Sequence, residues 1–272
     1  MKKNFNLGPF YLILIPIKRL LYFLRLSLVY FKSGFIWFIT SKEHTNFSFS
    51  LDENSLHSLK YTLGSFCEID IESVESDLNR VNSLETLNSS SIKWVEKIDI
   101  DFKNKWDYRS IVYVLINNKK IHNVLEFGVD QGRIPYIIDN LYFDNNPSSG
   151  LYYIGVEYNK RKLGLIRNIQ NTENIKLKTD KVENVLPRIE KQYFEDSLLI
   201  SSTHEMTSER FLFDYLEENK LFPSFIVSDE TRPSSPFIKF IENNNYDYVC
   251  LSFSDPKKFL ESIRVGLAKK IV

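Results

Sequence analysis

The chain has 272 residues, of which 43% are hydrophobic and 26% charged, a balance that excludes a disordered polymer and suits one ordinary domain with an appendage, or two small domains. Its 35 basic and 35 acidic residues cancel, so no basic footprint calls for nucleic acid and none is expected as a partner. Cys67 and Cys250 lie far apart with no metal-ligand spacing, which fits unpaired, buried thiols in a reducing compartment.

Residues 1–44 form the first expected unit, an apolar and basic helical segment. The apolar run 7–17 contains Pro16 and is followed by Lys18 and Arg19, so it falls short of the roughly 18 residues that a membrane span needs. A signal peptide would need a small-residue cleavage site after it, and there is none. Lys18, Arg25 and Lys32 recur every seven residues, with Leu20, Leu21, Phe23, Leu24, Leu28 and Phe31 between them. That pattern describes a helix lying on an anionic membrane surface through residues 7–40, or one docked on protein. Residues 45–104 are polar and read as a helical connector or lid. Val74, Leu78, Val81 and Leu84 have helical spacing there.

From residue 105 to the C-terminus the pattern alternates. Helices are expected at 106–118, 133–141, 160–168, 182–193, 208–219 and 236–243. Strands are expected at 123–127, 152–157, 175–179, 197–201 and 224–228, with 246–253 and 265–272 as two more closing the sheet. Short apolar strands between helices predict an α/β class fold: a Rossmann-like, doubly wound, mostly parallel sheet with helices on both faces, plus the N-terminal helical extension. Ligands of such sheets bind beyond the carboxyl ends of the strands, where the order reverses.

The first of these strands ends in VLEFGVDQGR, giving Glu126, Gly128, Asp130 and Gly132. A phosphate-binding G-x-G-x-x-G would place glycine at position 130, and Asp130 beside a pyrophosphate would set like charges together. A phosphate-free, cationic ligand suits the acids better. The second strand ends in GVEYN and supplies Glu157, and the third ends in KTDKVENVLPRI and supplies Asp180.

On these residues the segment 105–272 resembles the class I S-adenosylmethionine-dependent methyltransferases. The resemblance implies S-adenosyl-L-methionine as cofactor, held by Glu126, Gly128, Asp130, Gly132, Glu157 (at the ribose hydroxyls) and Asp180 (at the adenine amino group). Within that family the chain looks most like the macrocin O-methyltransferase and cephalosporin hydroxylase type. Where that type ends its fourth strand in an Asp-Gly-Asp-His-like run, this chain has Ser201, Ser202, Thr203 and His204. The paired acids after the fifth strand are matched by Asp229 and Glu230.

With the fourth-strand acids gone, a hard cation has few carboxylates to hold it, so no metal is expected. His204 becomes the candidate base, with Asp229 and Glu230 beside it as catalytic residues. Each has a bland alternative: a loop histidine in a structural hydrogen bond, and a helix-capping or solvated acidic pair. Arg232 is either an anion contact or a surface arginine. The expected activity is O-methylation of a sugar or other small hydroxyl acceptor, in surface glycan biosynthesis. The expected location is the cytoplasm, peripheral to the inner face of the cytoplasmic membrane. The competing readings are a catalytically inactive, methyltransferase-like scaffold or binding protein at the membrane, and a nucleotide-dependent enzyme of the same fold, which Asp130 disfavours.

Overall fold

The computed structural model describes residues 48–51, 55–87, 108–129, 132–146, 149–160, 171–203, 205–229, 231, 235–254 and 262–271. The chain divides into two units, Met1–Asn46 and Phe47–Val272. The first unit, and with it the expected membrane-surface helix, lies outside the described residues. So does nearly all of the helix expected at 160–168. Among the described residues, no helix is long and apolar enough to cross a membrane.

In chain order the elements are β1 (Ser48–Leu51), α1 (Ser55–Cys67), α2 (Ile71–Leu87), α3 (Tyr108–Asn118), β2 (Asn123–Phe127), α4 (Arg133–Ile137), α5 (Phe143–Asn145), β3 (Tyr152–Val156), β4 (Ile175–Lys178), α6 (Val182–Val185), β5 (Ser197–Ser201), α7 (Met206–Glu218), β6 (Phe225–Ser228), α8 (Pro236–Asn243), β7 (Tyr246–Ser254) and β8 (Ser262–Lys270). The strands form one eight-stranded sheet in the order β1-β7-β8-β6-β5-β2-β3-β4. Neighbours from β6 to β4 are parallel, as are β1 and β7, whereas β8 runs antiparallel to both β6 and β7. From β2 the chain steps outward to β3 and β4, then crosses back to β5 and β6. The crevice between β2 and β5 is therefore the topological switch point. An all-parallel dinucleotide-binding sheet would continue with a parallel strand beyond β6. Here antiparallel β8 takes that place.

The strands are apolar on both sides because both sides are covered. Val124, Tyr153, Leu198, Ile200, Phe225 and Val227 point to one face, where Leu59, Leu63, Val74, Leu78 and the α3 residues Ile111–Ile116 complete the cluster. Leu125, Phe127, Ile154, Val156, Leu199 and Ile226 point to the other, beneath Val185, Leu212, Phe213, Leu216, Phe237 and Phe240. The alternation along β5 and β6 follows the period-two geometry of a strand. The polar stretch that reads as a connector thus contributes α1 and α2 to the core. α2 begins where Asp70 accepts the Ser73 amide at 3.0 Å, an N-terminal cap. Inside the α2–α3 contact, buried Asp77 accepts the side-chain amides of Asn117 at 2.9 Å and Asn118 at 2.6 Å.

Three expectations change. The helix expected at 182–193 ends after one turn and continues as two 3-10 turns, Leu186–Arg188 and Lys191–Phe194. Pro187 lacks the N–H and its ring crowds the preceding turn, so a regular helix cannot pass through it. The helix expected at 133–141 contains a π turn, Ile138–Tyr142, within which buried Asp139 accepts the Asn171 backbone and side-chain amides at 2.9 and 2.8 Å. β1 was not foreseen, although the F-S-F-S-L alternation of 47–51 is a strand signal.

Candidate functional site

The turn after β2 is built by backbone packing. Gly128 has φ of +97° and Gly132 φ of +77°, the left-handed region that glycine alone enters freely. The amide of Gly128 donates to the Val156 carbonyl at 2.9 Å, and that of Gly132 closes the turn on the Val129 carbonyl at 2.9 Å. A Cβ on Gly128 would stand 2.5 Å from the Ser202 carbonyl oxygen and 3.0 Å from the Thr203 nitrogen. The close approach that the sequence assigns to a ligand is therefore made first by the chain itself, across the switch point. Ser202 fastens the same contact: its amide donates to the Phe127 carbonyl at 2.9 Å and its hydroxyl to the Gly128 carbonyl at 2.6 Å.

Glu126 is fully buried, one residue before the strand ends. The Tyr153 hydroxyl donates to its carboxylate. In the sheet register Glu126 faces Gly155, and a Cβ on Gly155 would come within 2.7 Å of the Tyr153 hydroxyl. Gly155 thus leaves the space through which the Tyr153 ring lies toward Glu126. Burial, then the charge of Glu126, hold the Tyr153 phenol well above its ordinary pKa, so it stays a donor.

Glu157 follows β3 directly and is 4% exposed. Its amide donates to the Lys178 carbonyl at 3.0 Å, extending the β3–β4 pairing, and its carboxylate accepts the Asn159 amide at 2.9 Å. That local bond keeps the carboxylate turned in at the sheet edge. Asp180, two residues beyond β4, is half-buried and accepts the Asn184 side-chain amide and the Lys181 backbone amide, each at 2.8 Å. Those hydrogen bonds hold its carboxyl below the usual carboxylate range.

On the other side of the switch point, Ser201 ends β5 and Ser228 ends β6, paired in register. The Asp229 amide donates to the Ser201 carbonyl at 2.9 Å, and Asp229 is half-buried. Thr231 is buried and its hydroxyl donates to the Ser228 carbonyl at 3.1 Å. The side-chain oxygens of Ser201, Thr203 and Ser228 are buried without a hydrogen-bond partner.

Gly128, Gly132, Glu157, Asp180 and Asp229 thus stand beyond the carboxyl ends of β2, β3, β4 and β6, along one edge of the sheet. Asp130, His204, Glu230 and Arg232 lie outside the described residues. Among those described, no group of three or more His, Cys, Asp and Glu gathers as a metal site would require. Sequence reasoning missed the Tyr153–Gly155 device and the buried hydroxyls of Ser228 and Thr231. A glycine and a tyrosine two apart in an otherwise apolar strand, facing a strand that carries a glutamate, were the available signal.

Sheet order and site edge together define a Rossmann-like, doubly wound α/β protein with its crevice at the β2–β5 switch point. No family model and no curated protein matches the chain. Among solved structures it is similar to an SAH-bound methyltransferase of Podospora anserina, PaMTH1, with 11% identity, a TM-score of 0.46, and coverage of 81% of this chain and 97% of that one. It is also similar to Aeropyrum pernix fibrillarin with natively bound S-adenosyl-L-methionine, with 15% identity, a TM-score of 0.39, and coverage of 55% and 67%. An rRNA methylase of Streptococcus thermophilus is a third, with 9% identity, a TM-score of 0.39, and coverage of 57% and 89%.

Proposed function

We propose that the chain is an S-adenosyl-L-methionine-dependent methyltransferase acting on a hydroxyl of a small or sugar-like acceptor. The observation that carries this reading is Glu157: a carboxylate 4% exposed, directly after β3 and next to the β2 turn. Such a carboxylate accepts both hydroxyls of a ribose. Glu126 is fully buried and accepts from Tyr153, so its proposed part is to shape the β2 turn and set its negative field against a cationic ligand. Asp180 fits an adenine amino group, with Asn184 already fixing the carboxylate. The cofactor, when bound, supplies an electrophilic methyl group. His204 serves as base toward the acceptor hydroxyl, and Asp229 and Glu230 orient it. No metal is required. A surface-glycan acceptor and peripheral membrane contact through residues 7–40 complete the proposal, the latter resting on the heptad of Lys18, Arg25 and Lys32.

Calorimetry with S-adenosylhomocysteine and with NAD tests the cofactor. Binding of the first and not the second is expected. Glu157→Ala should weaken binding by roughly 10- to 150-fold, the equivalent of hydrogen bonds to one charged group. NAD binding with indifference to S-adenosylhomocysteine would overturn the proposal. Radiolabelled methyl transfer to candidate glycans, with His204→Ala as control, tests the base. A second reading is favoured by Ser201 and Thr203 standing where acids would be expected: a non-catalytic scaffold. Cofactor binding without turnover on a broad acceptor panel would select it.

A further inference from the structure

We infer that the ends of β5 and β6 form a recognition pocket for a neutral, hydroxyl-bearing acceptor group, with Ser201, Thr203 and Ser228 as its hydrogen-bonding side chains. This rests on the methyltransferase reading and narrows its acceptor. Ser201 and Ser228 are register partners on adjacent parallel strands, 2% and 0% exposed. Both follow residues of the opposite face, Ile200 and Val227, so both side chains belong to the face covered by α7 and α8. Gly266 of β8 continues the row beside Ser228. A Cβ there would meet Thr231 and Phe237, which close that end of the row.

Buried hydroxyls are nearly always satisfied within a protein, and exceptions gathered in one place call for an absent partner. The neighbouring serines and threonine follow that rule. Ser197, at the opposite end of β5, donates to the Phe194 carbonyl at 2.7 Å. Ser202 is bound to the Gly128 carbonyl and Thr231 to the Ser228 carbonyl. Ser201, Thr203 and Ser228, all at the carboxyl edge beside the switch point, hold theirs without a partner. Each hydroxyl donates one hydrogen bond and accepts others while carrying no charge. A phosphate or carboxylate would be set beside the acidic Asp229, and an apolar group would leave the hydroxyls unsatisfied. A neutral hydroxyl, as on a sugar ring, satisfies both conditions.

Ligand-observed NMR titration on the full chain, with methyl α-glucopyranoside and methyl β-galactopyranoside as probes and glucose 6-phosphate as control, tests the pocket. At least one neutral glycoside should bind. Ser201→Ala with Ser228→Ala should weaken it at least tenfold, while Ser197→Ala on the same strand leaves it unchanged. Removing an unpartnered hydroxyl should not lower the thermal midpoint, so lost binding would not reflect unfolding. Equal affinity in wild type and double variant, no neutral glycoside bound, or glucose 6-phosphate bound as tightly would each overturn the pocket. Calorimetry with S-adenosylhomocysteine on the same samples separates the two claims. Its failure with wild type removes the methyltransferase reading, while glycoside binding to the cofactor-free protein still decides the pocket.

Discussion

Gly155 is the residue on which the interior of the site edge turns. Its missing side chain lets Tyr153 reach Glu126, and a Cβ there would also stand 2.7 Å from a methyl of Val129, the residue after Gly128. Gly155→Ala therefore overpacks a position that has no outlet. The expected loss is about 1–3 kcal/mol in urea unfolding, with weaker S-adenosylhomocysteine binding because Val129 belongs to the β2 turn. A neutral midpoint would mean that Tyr153 moves aside at no cost. The glutamate itself was legible in VLEF-G, but its inward pairing was not. That pairing depends on the β2–β3 register, which juxtaposes residues 29 positions apart. Glu157 was legible for the opposite reason: its place follows from one strand and its own end.

Among the elements, strands were easier to place than helices, because an apolar run four or five residues long between polar turns has few alternatives. β2 and β5 match their expected bounds of 123–127 and 197–201. Strand direction was not legible, since antiparallel β8 is defined by its partners and not by its residues. Helix continuity failed at Pro187, where the amphipathic pattern persists through a residue that cannot sustain it. α2 is the opposite case, a largely polar sequence that enters the core through Val74, Leu78 and Val81 and one buried carboxylate. Asp77→Ala should leave the amides of Asn117 and Asn118 without that acceptor and cost about 1–3 kcal/mol. Hydrogen exchange should show the loss as faster exchange in α2 and the C-terminal turn of α3, with β2 and β5 unaffected. Uniform acceleration across the sheet would show that Asp77 supports the whole fold and not one helix contact.

For the molecule as a whole, the titrating groups set a window of maximal stability. Glu68, at the end of α1, pairs with Lys269 of β8, and that pairing holds its carboxyl below the ordinary value, as the Asn184 and Lys181 bonds hold Asp180. A lowered folded pKa contributes stability that is present above the unfolded value, about 4 for Glu and Asp, and is lost as pH falls through the folded one. On the alkaline side burial pushes the Cys67 thiol up to about 12, and the Tyr153 and Tyr246 phenols are raised as well. The unfolded thiol ionises near 8.5 and phenols near 10. Stability from these groups is therefore complete below about 8.5 and falls above it, as the unfolded chain releases protons that the folded chain retains. Urea midpoints should stay level between about pH 5 and 8 and drop on both sides. Asp180→Asn should flatten the acid limb, and Cys67→Ser should delay the onset of the alkaline one toward 10. At pH 8 a thiol reagent should label at most Cys250, which is half-buried, until the fold opens. Labelling of two thiols in the native protein would place Cys67 within reach of solvent and remove the thiol from the account of the alkaline limb.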